Sequence, residues 1–221
     1  MNENKLIKIL AIIIFVIVVL NIFNVVFNKP SWQLDRFINV CEESNFPTWF
    51  SSMLLVIAAY FAYKCSITAK TKERGRGMLQ LLSLGLLGMS CDEVAMIHEN
   101  MGEFVNRHFF KIANLKSEWV ILLGPIVLFI IIVFVIKMSK YLKDSAKAKK
   151  FLVMGAFIYI FGAFILEATL NVICQQEFQF KSLYKIEYIL EEFLEMTGVV
   201  LIIKGLIEHF RFLSSQRLIN E

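Results

Sequence analysis

Hydrophobic residues are grouped along the chain into six long runs, with short polar segments between them. The runs cover residues 6–27, 47–63, 78–98, 119–136, 151–172 and 186–207. Each has the length that an α-helix needs to cross a hydrocarbon layer of roughly 30 Å. The ten-residue alternation typical of membrane barrel strands does not occur. The pattern predicts an all-α, polytopic transmembrane bundle of six helices, with residues 1–221 as a single domain.

Composition agrees with this interpretation. Hydrophobic residues make up 57% of the chain, whereas soluble domains average about 45–50%. Lys5 and Lys8 flank the apolar part of the first run, which therefore resembles a signal peptide. It is longer than a signal core, and no A-x-A cleavage site follows it. We therefore expect it to be a retained first helix.

Basic residues are divided unequally between the two sides of the predicted bundle. The side with both termini holds 16 of the 23 Lys and Arg residues, concentrated in 64–76 and 137–150. The positive-inside rule then predicts an N-in/C-in, multi-pass protein of the cell inner (cytoplasmic) membrane. We assign the basic loops to anionic lipid rather than to nucleic acid. Membrane lipids are thus the expected partners, and a homo-oligomer is an open alternative.

Acidic residues occur at a similar depth in three of the predicted helices. They are Asp92 and Glu93 in the third helix, Glu167 in the fifth, and Glu191, Glu192 and Glu195 in the sixth. With the predicted orientation, all of them lie in the outer leaflet. Carboxylates at membrane depth are costly, so they usually face a cavity or the bundle interior. The sequence therefore predicts a polar cavity that opens toward the outer leaflet.

The third helix carries the densest group of these residues, in the segment "GMSCDEVAMIHENMGE" at 88–103. If the helix is continuous, Asp92, Glu99 and Glu103 lie on one face because seven and four residues separate them. Glu93 and His98 then point to either side of that face.

The predicted helices place no lysine or arginine beside these acids. Either several acids are protonated, or a divalent cation lies among them. An oxygen-rich set with one histidine favours Ca²⁺, Mg²⁺, Mn²⁺ or iron over zinc. The predicted metal ligands are Asp92, His98, Glu99 and Glu195, and the predicted catalytic residues are Glu93, Glu167 and Glu191. A hydrated helix end, with His98 as an ordinary interfacial histidine, is the simpler alternative.

Cysteine and tryptophan positions add two expectations. Cys41 and Cys174 are both expected on the outer side, where an oxidising environment permits a disulfide between them. Trp32, Trp49 and Trp119 lie near predicted helix ends, as an interfacial aromatic belt requires.

Two segments resemble those of a known group of bacterial multipass membrane proteins. These are "NFPTWFSSMLL" at 45–55 and "SCDEVAMIHE" at 90–99, which match a P-T-W-[FY]-S-S helix start and an S-x-D-E-x-x-x-I-H-E segment. The resemblance implies the multipass architecture and a role for Asp92, Glu93, His98 and Glu99. It does not imply a reaction.

A weaker resemblance links the chain to alkaline ceramidase-type membrane hydrolases. It is carried by "CEESN" at 41–45 and "DEVAM" at 92–96, similar to their C-E-x-N and D-E-L-P-M elements. Those enzymes bind zinc partly through H-x-x-x-H on a late helix, where this chain has Glu191 and Glu195 instead. This departure from their pattern speaks against zinc amidase chemistry and leaves a harder metal in an analogous cavity as the expectation.

Three functions follow as hypotheses. The first is a metal-dependent membrane enzyme, a hydrolase that acts on a lipid or lipid-linked substrate. The second is a cation- or proton-coupled transporter or channel that uses the same carboxylates. The third is a structural or sensory membrane protein. Little polar character continues toward the inner ends of the predicted helices, which favours the enzyme.

Overall fold

The computed structural model of the protein describes residues 3–69, 74–112, 117–169 and 181–219. Over these residues the chain forms nine helices and no strand, as an all-α class predicts. The helices are α1 (Glu3–Val26), α2 (Trp32–Ile38), α3 (Phe46–Thr68), α4 (Arg74–Ala95), α5 (Ile97–Val105), α6 (Glu118–Leu122), α7 (Gly124–Tyr141), α8 (Ala146–Ile160) and α9 (Lys181–Ile219). Two of them continue into π-helical segments, α5 through Asn106–Phe110 and α8 through Phe161–Leu166.

Five helical stretches are long and apolar enough to cross a membrane. They are Glu3–Val26, Phe46–Thr68, Gly75–Ala95, Gly124–Asp144 and Ala146–Thr169. They correspond to the first five predicted spans, with ends that differ by up to eight residues. The third predicted span, 78–98, is not one continuous helix, because α4 ends at Ala95 and a separate helix begins at Ile97.

The sixth predicted span, 186–207, lies inside the 39-residue helix α9. Its first half contains Glu187, Glu191, Glu192 and Glu195. The number of charged residues, which also include Lys204, sets this segment apart from the other five stretches. The segment is helical as predicted, but composition alone does not identify it as a membrane span.

Helix α9 is the centre of the bundle and contacts α1, α3 and α8. Its contact with α8 is a backbone-to-backbone approach that depends on glycine. A Cβ on Gly155 would lie 2.6 Å from the carbonyl oxygen of Gly198, and one on Gly205 would lie 2.8 Å from the backbone nitrogen of Leu152. Small residues allow this close packing between membrane helices.

Long helices that follow one another along the chain run antiparallel, so the acidic residues collect at one end of the bundle. Gly162, late in the α8 stretch, packs on Glu195, early in α9. At the other end, Glu3 of α1 pairs with Arg211 of α9 at 2.7 Å. We call the end that holds Asp92, Glu167 and Glu195 the acidic end.

Serine hydroxyls join α3 to α4. The Oγ atoms of Ser52 and Ser90 lie 2.8 Å apart near the acidic end, and Ser83 Oγ donates to the Ala59 carbonyl at 2.8 Å. All three serines are buried. Buried interhelical hydrogen bonds of this kind fix the register of two membrane helices. They set the position of the end of α4, which carries Asp92 and Glu93.

A polar network that the sequence pattern did not predict holds α2 against α1. Asn21 donates to the Ile38 carbonyl at 2.7 Å, and Asn24 donates to Asp35 at 2.6 Å. Lys29 completes the network with a 2.6 Å ion pair to Asp35. Burial alone would raise the pKa of Asp35, but the hydrogen bonds from Lys29 and Asn24 lower it below its usual value. This short helix therefore closes the acidic end beside the first span.

Candidate functional site

A cavity of about 490 Å³ lies among α4 to α9 at the acidic end. Five of the seven sequence-predicted site residues line it, namely Asp92, Glu93, His98, Glu167 and Glu195. Most other lining residues are apolar, including Met101, Ile126, Val127 and Phe164. Ligand cavities in proteins commonly measure about 300–1,000 Å³ and combine apolar walls with a few polar groups. The structure thus brings carboxylates from three separate chain segments around one ligand-sized space.

The other two predicted site residues are placed differently. Glu99 is exposed and does not line the cavity. Glu191 is buried in α9, and its carbonyl oxygen lies 3.1 Å from where a Cβ on Gly162 would be. This glutamate is absent from the cavity lining as well. Glu103, which was expected to share a face with Asp92, pairs instead with Arg107.

The predicted continuous helix through residue 98 is interrupted at Met96. This residue has φ 52° and ψ 42°, in the left-handed region. Its backbone N–H donates to the Asp92 carbonyl at 2.7 Å and so closes the last turn of α4. The predicted stack of Asp92, Glu99 and Glu103 is therefore wrong, because the helical phase changes between α4 and α5.

The break turns His98 back toward Asp92. His98 donates its backbone N–H to Asp92 Oδ1 at 2.8 Å, and its ring Nδ1 lies 2.6 Å from Asp92 Oδ2. The carboxylate also stabilises the N-terminus of α5, where backbone N–H groups lack partners within the helix. Asp92, in the last turn of α4, thus caps α5 and also holds the imidazole of His98.

The electrostatic surroundings of His98 favour its protonated form. Burial alone would lower the pKa of His98, but the hydrogen bond and the charge of Asp92 raise it above its usual value. The charges of Glu167 and Glu99 act in the same direction. The imidazole therefore keeps its proton to higher pH than a free histidine does.

Trp119 orients the imidazole from the other side. The two rings meet edge to face, with centroids 4.7 Å apart and planes at 71°. The indole is buried, unlike Trp32 and Trp49, whose side chains are exposed. The prediction of an interfacial belt is therefore wrong for Trp119. No feature of the local sequence distinguishes it from the other two.

The position of Trp119 depends on a glycine in α5. A Cβ on Gly102 would lie 2.7 Å from both Cα and Cβ of Trp119. Only glycine leaves room for the backbone of α6 at this crossing. The tryptophan ring can then reach the cavity between α5 and the end of α8.

Glu167 receives hydrogen bonds from α6 and the residue before it. The indole Nε1 of Trp119 donates to Glu167 Oε1 at 2.8 Å, and Ser117 Oγ donates to the same oxygen. Glu167 was predicted as a catalytic residue. In the structure it links α8 to α6 and, through Trp119, supports His98.

The remaining acids lie close together between α4 and α9. The charges of Glu93, Glu192 and Glu195 are near enough to interact, and Glu93 lies beside Ser51 of α3. Tyr159 of α8 lines the cavity with Glu93 and Glu195. Glu93 and Glu195 of this cluster thus form an acidic wall of the cavity, in addition to the Asp92–His98 pair.

The structure does not assemble the predicted set of metal ligands. Among the residues that it describes, no three His, Cys, Asp or Glu side chains form a group that would hold a metal ion. Both oxygens of Asp92 are engaged by His98, and Glu99 lies outside the cavity lining. Metal binding by Asp92, His98, Glu99 and Glu195 stays a prediction.

The predicted disulfide also stays a prediction. Cys41 is partly buried just before α3, whereas Cys174 lies outside the described residues. Cys65 is buried, and its thiol donates to the Leu206 carbonyl at 3.3 Å.

A second cavity, of about 310 Å³, adjoins the first on the side away from the acidic end. The two cavities share Met89, Ile131 and Tyr159 as lining residues. Apart from Gly85, Ser139 and Tyr159, the second cavity is lined by apolar side chains. Along the bundle, the polar cavity at the acidic end is therefore followed by an apolar cavity.

Comparison with known proteins places most of the chain in one family. No curated protein and no solved structure matches the chain. One family model matches residues 9–208, a range that includes all the cavity-lining residues described above. The chain therefore belongs to the family described as a domain of unknown function, DUF8692.

Proposed function

We propose that the protein is a membrane enzyme that carries out acid–base chemistry on a lipid or lipid-linked substrate, most simply a hydrolysis. The observation that carries the proposal is the Asp92–His98 pair, which lines a cavity together with Glu93 and Glu195. A histidine oriented by a carboxylate, whose hydrogen bond raises the imidazole pKa above its usual value, is suited to general acid–base catalysis. Ionisable groups at membrane depth commonly serve function.

The pair and the acidic wall have different roles in this proposal. Asp92 engages Nδ1 of His98, so Nε2 is the ring nitrogen that exchanges a proton with the substrate or with a water molecule. Glu93 and Glu195 bind polar groups of the substrate or orient that water. Asp92 keeps the imidazole in one tautomer and one orientation, as carboxylates do in other His-containing catalytic sites.

Glu167 and Trp119 are positioning residues rather than catalytic ones. The hydrogen bond from Trp119 to Glu167 holds the indole, and the indole packs against the imidazole. Glu167 thus has a different role from the catalytic one that its depth in the predicted helix suggested. Glu191, also predicted as a base, does not line the cavity and receives no catalytic role here.

The ceramidase resemblance adds support, because both segments that carry it lie near the cavity. "DEVAM" contributes Asp92 and Glu93 to the lining. "CEESN" contributes Glu43, which accepts a hydrogen bond from Thr48 at 3.2 Å and lies within electrostatic reach of Glu93. A lipid amide or ester is therefore the first substrate class to test.

A divalent cation, with Ca²⁺, Mg²⁺, Mn²⁺ or iron preferred over zinc, is a separate part of the proposal. Glu93 and Glu195 are the best candidates for its ligands, since both carboxylates line the cavity. Elemental analysis of purified protein tests this. We expect about one bound metal ion per chain that is lost in Glu93→Gln/Glu195→Gln and kept in Glu99→Gln. Metal-free protein that retains activity would remove the cation from the proposal.

Orientation in the membrane is likewise proposed, as six spans with N-in/C-in topology in the cytoplasmic membrane. The support is the excess of basic residues at the end opposite the acids. The cavity would then open toward the outer leaflet. Reporter fusions between α3 and α4 and between α7 and α8 test this, because both connections should lie in the cytoplasm.

The transporter alternative requires a polar route across the bundle. The acidic cavity supplies half of such a route, but the adjoining cavity toward the opposite end is lined almost entirely by apolar side chains. Ions do not cross apolar regions of this kind without polar partners. The arrangement fits a one-sided binding site better than a pathway.

The deciding experiment measures lipid turnover by the purified protein in nanodiscs. Phospholipids, acylated glycolipids and N-acyl sphingoid lipids would be supplied, and products followed by mass spectrometry. We expect one class to be consumed, with His98→Gln slowing turnover at least about 100-fold. His108→Gln is the matched control, because His108 is an exposed imidazole outside the cavity. Turnover that survives in His98→Gln, or no turnover of any class, would overturn the proposal.

A further inference from the structure

We infer that the apolar cavity beside the polar one binds an acyl chain of the lipid substrate, which enters sideways between α4 and α7. The inference rests on the proposed function, which requires a lipid with its polar part near His98. It adds the site for the hydrophobic part and the route by which the lipid arrives.

The polar and the apolar cavity follow one another as the head group and the acyl chain do in a lipid molecule. The polar cavity holds the imidazole and the acids, and the apolar cavity begins where Met89, Ile131 and Tyr159 belong to both linings. Tyr159 therefore lies where the head group and the chain of a bound lipid would meet. A single lipid that filled both chambers would contact all three of these shared residues.

The apolar cavity has the length of one membrane leaflet. Its α7 wall extends from Ile130 to Leu142, which is about 18 Å at 1.5 Å per residue. Half of a hydrocarbon core is about 15 Å. An extended acyl chain with its head group in the outer leaflet would thus reach from the polar cavity to the end of the apolar one.

The floor of this cavity is closed. Leu142 is buried at the far end of the α7 wall. Close by, the ring of Tyr141 packs against Gly75 at the start of α4 so tightly that no Cβ would fit there. Helices α4 and α7 therefore meet below the cavity, and the chain would end there rather than continue toward the opposite end.

The side of the cavity between α4 and α7 is open. Leu81 and Ile130 line it and keep 60% and 61% of their surface exposed. Gly85 lies on the same side, and a Cβ placed there would meet no atom within 4 Å. In a membrane this gap faces lipid, so a chain can pass sideways into the cavity without leaving the hydrocarbon.

Gly85 offers a direct way to block the chamber. Because its surroundings are open, Gly85→Phe can be accommodated without displacing a helix, and its ring would occupy the entrance. Gly77→Phe is the matched control. Gly77 is also exposed on α4, and a Cβ there would meet no atom within 4 Å, but it lines neither cavity.

The test uses a phosphatidylethanolamine with a photoactivatable diazirine near the end of one acyl chain. It is incorporated in trace amounts into nanodiscs with the full-length protein, and the labelled residues are mapped by mass spectrometry. We expect labelling to concentrate on Phe134, Met138 and other cavity residues, with a decrease of about tenfold in Gly85→Phe and no change in Gly77→Phe. Labelling spread evenly over lipid-exposed residues such as Phe129, unaffected by Gly85→Phe, would overturn the inference.

This readout does not depend on turnover, so the two proposals fail in different ways. Cavity labelling without turnover of any lipid class would contradict the enzyme but support the chain-binding site. Turnover of a long-chain substrate at the wild-type rate in Gly85→Phe would contradict the chain-binding site and leave the Asp92–His98 chemistry in place.

Discussion

Asp92 and His98 are joined by two hydrogen bonds although they are six positions apart in the sequence. In an uninterrupted α-helix the two side chains would lie about 120° apart around the axis and about 9 Å apart along it. The left-handed conformation of Met96 ends one helix and starts another between them. The imidazole–carboxylate pair of the cavity therefore depends on the backbone conformation of a single residue.

Met96 is the position where this break can be tested. A left-handed conformation costs an L-residue about 1–2 kcal/mol, and β-branched residues tolerate it least. We expect Met96→Val to lower the free energy of unfolding by about 1–2 kcal/mol and Met96→Gly to leave it equal or higher. Thermal unfolding in detergent measures both. The opposite order, with glycine the more destabilising, would indicate a continuous helix.

Stability should depend on pH through His98. Its pKa is raised in the folded state, so its contribution is fully present below the unfolded value of about 6.5. The contribution is lost as the pH rises through the higher, folded-state pKa. We therefore expect the thermal midpoint of the wild type to fall across this interval. The matched comparison is His98→Gln, which should lack that component, whereas His108→Gln should keep it.

Gly102 should control the packing of Trp119. Gly102→Ala would force the backbone of α6 away from α5, and overpacking of this kind typically costs about 1–3 kcal/mol. We expect lower stability together with changed Trp119 fluorescence, measured with Trp32 and Trp49 replaced by Phe. Gly77→Ala is the control, since a Cβ there meets no atom within 4 Å. Equal behaviour of the two variants would argue against the Gly102–Trp119 crossing.

The hydrogen bond from Trp119 to Glu167 can be removed with little change in shape. Trp119→Phe keeps an aromatic ring but leaves Glu167 without the indole donor. Losing such a partner at a partly buried carboxylate costs about 1–3 kcal/mol. Chemical unfolding measures the change, and Trp32→Phe, on an exposed ring, serves as control. We expect no effect from the control, and an equally small effect from Trp119→Phe would contradict this contact.

Much of the fold was predictable because hydropathy and length are sufficient to identify apolar helices. Five membrane-length helices follow from these two properties, and the sixth helix exists where it was expected. The acids of α4, α8 and α9 were predicted to share one depth, and in the structure the ends of α4 and α8 meet the first part of α9 at the acidic cavity. Both results follow from the order of elements along the chain, which the sequence contains directly.

The details of the site were less predictable, because they depend on local backbone conformation and on tertiary contacts. Helix breaks usually carry Gly, Asn or Pro, and Met96 is none of these. Without the break, neither the Asp92–His98 pair nor the exposure of Glu99 could be foreseen. The burial of Trp119 depends on its distant neighbour Gly102, which sequence proximity does not indicate. Asn21 and Asn24 lie three residues apart on one face of an apolar helix. This pattern was a signal in the sequence for the polar contact between α1 and α2.

The most direct test of the proposed site is the titration of His98 by NMR in protein with ring-labelled histidine. The chain has 3 histidines, so His98→Gln assigns the signal by its disappearance. We predict that His98 titrates above about 6.5 in the wild type and at a clearly lower pH in Asp92→Asn. Identical titration of His98 in both proteins would contradict the pairing on which the proposed chemistry depends.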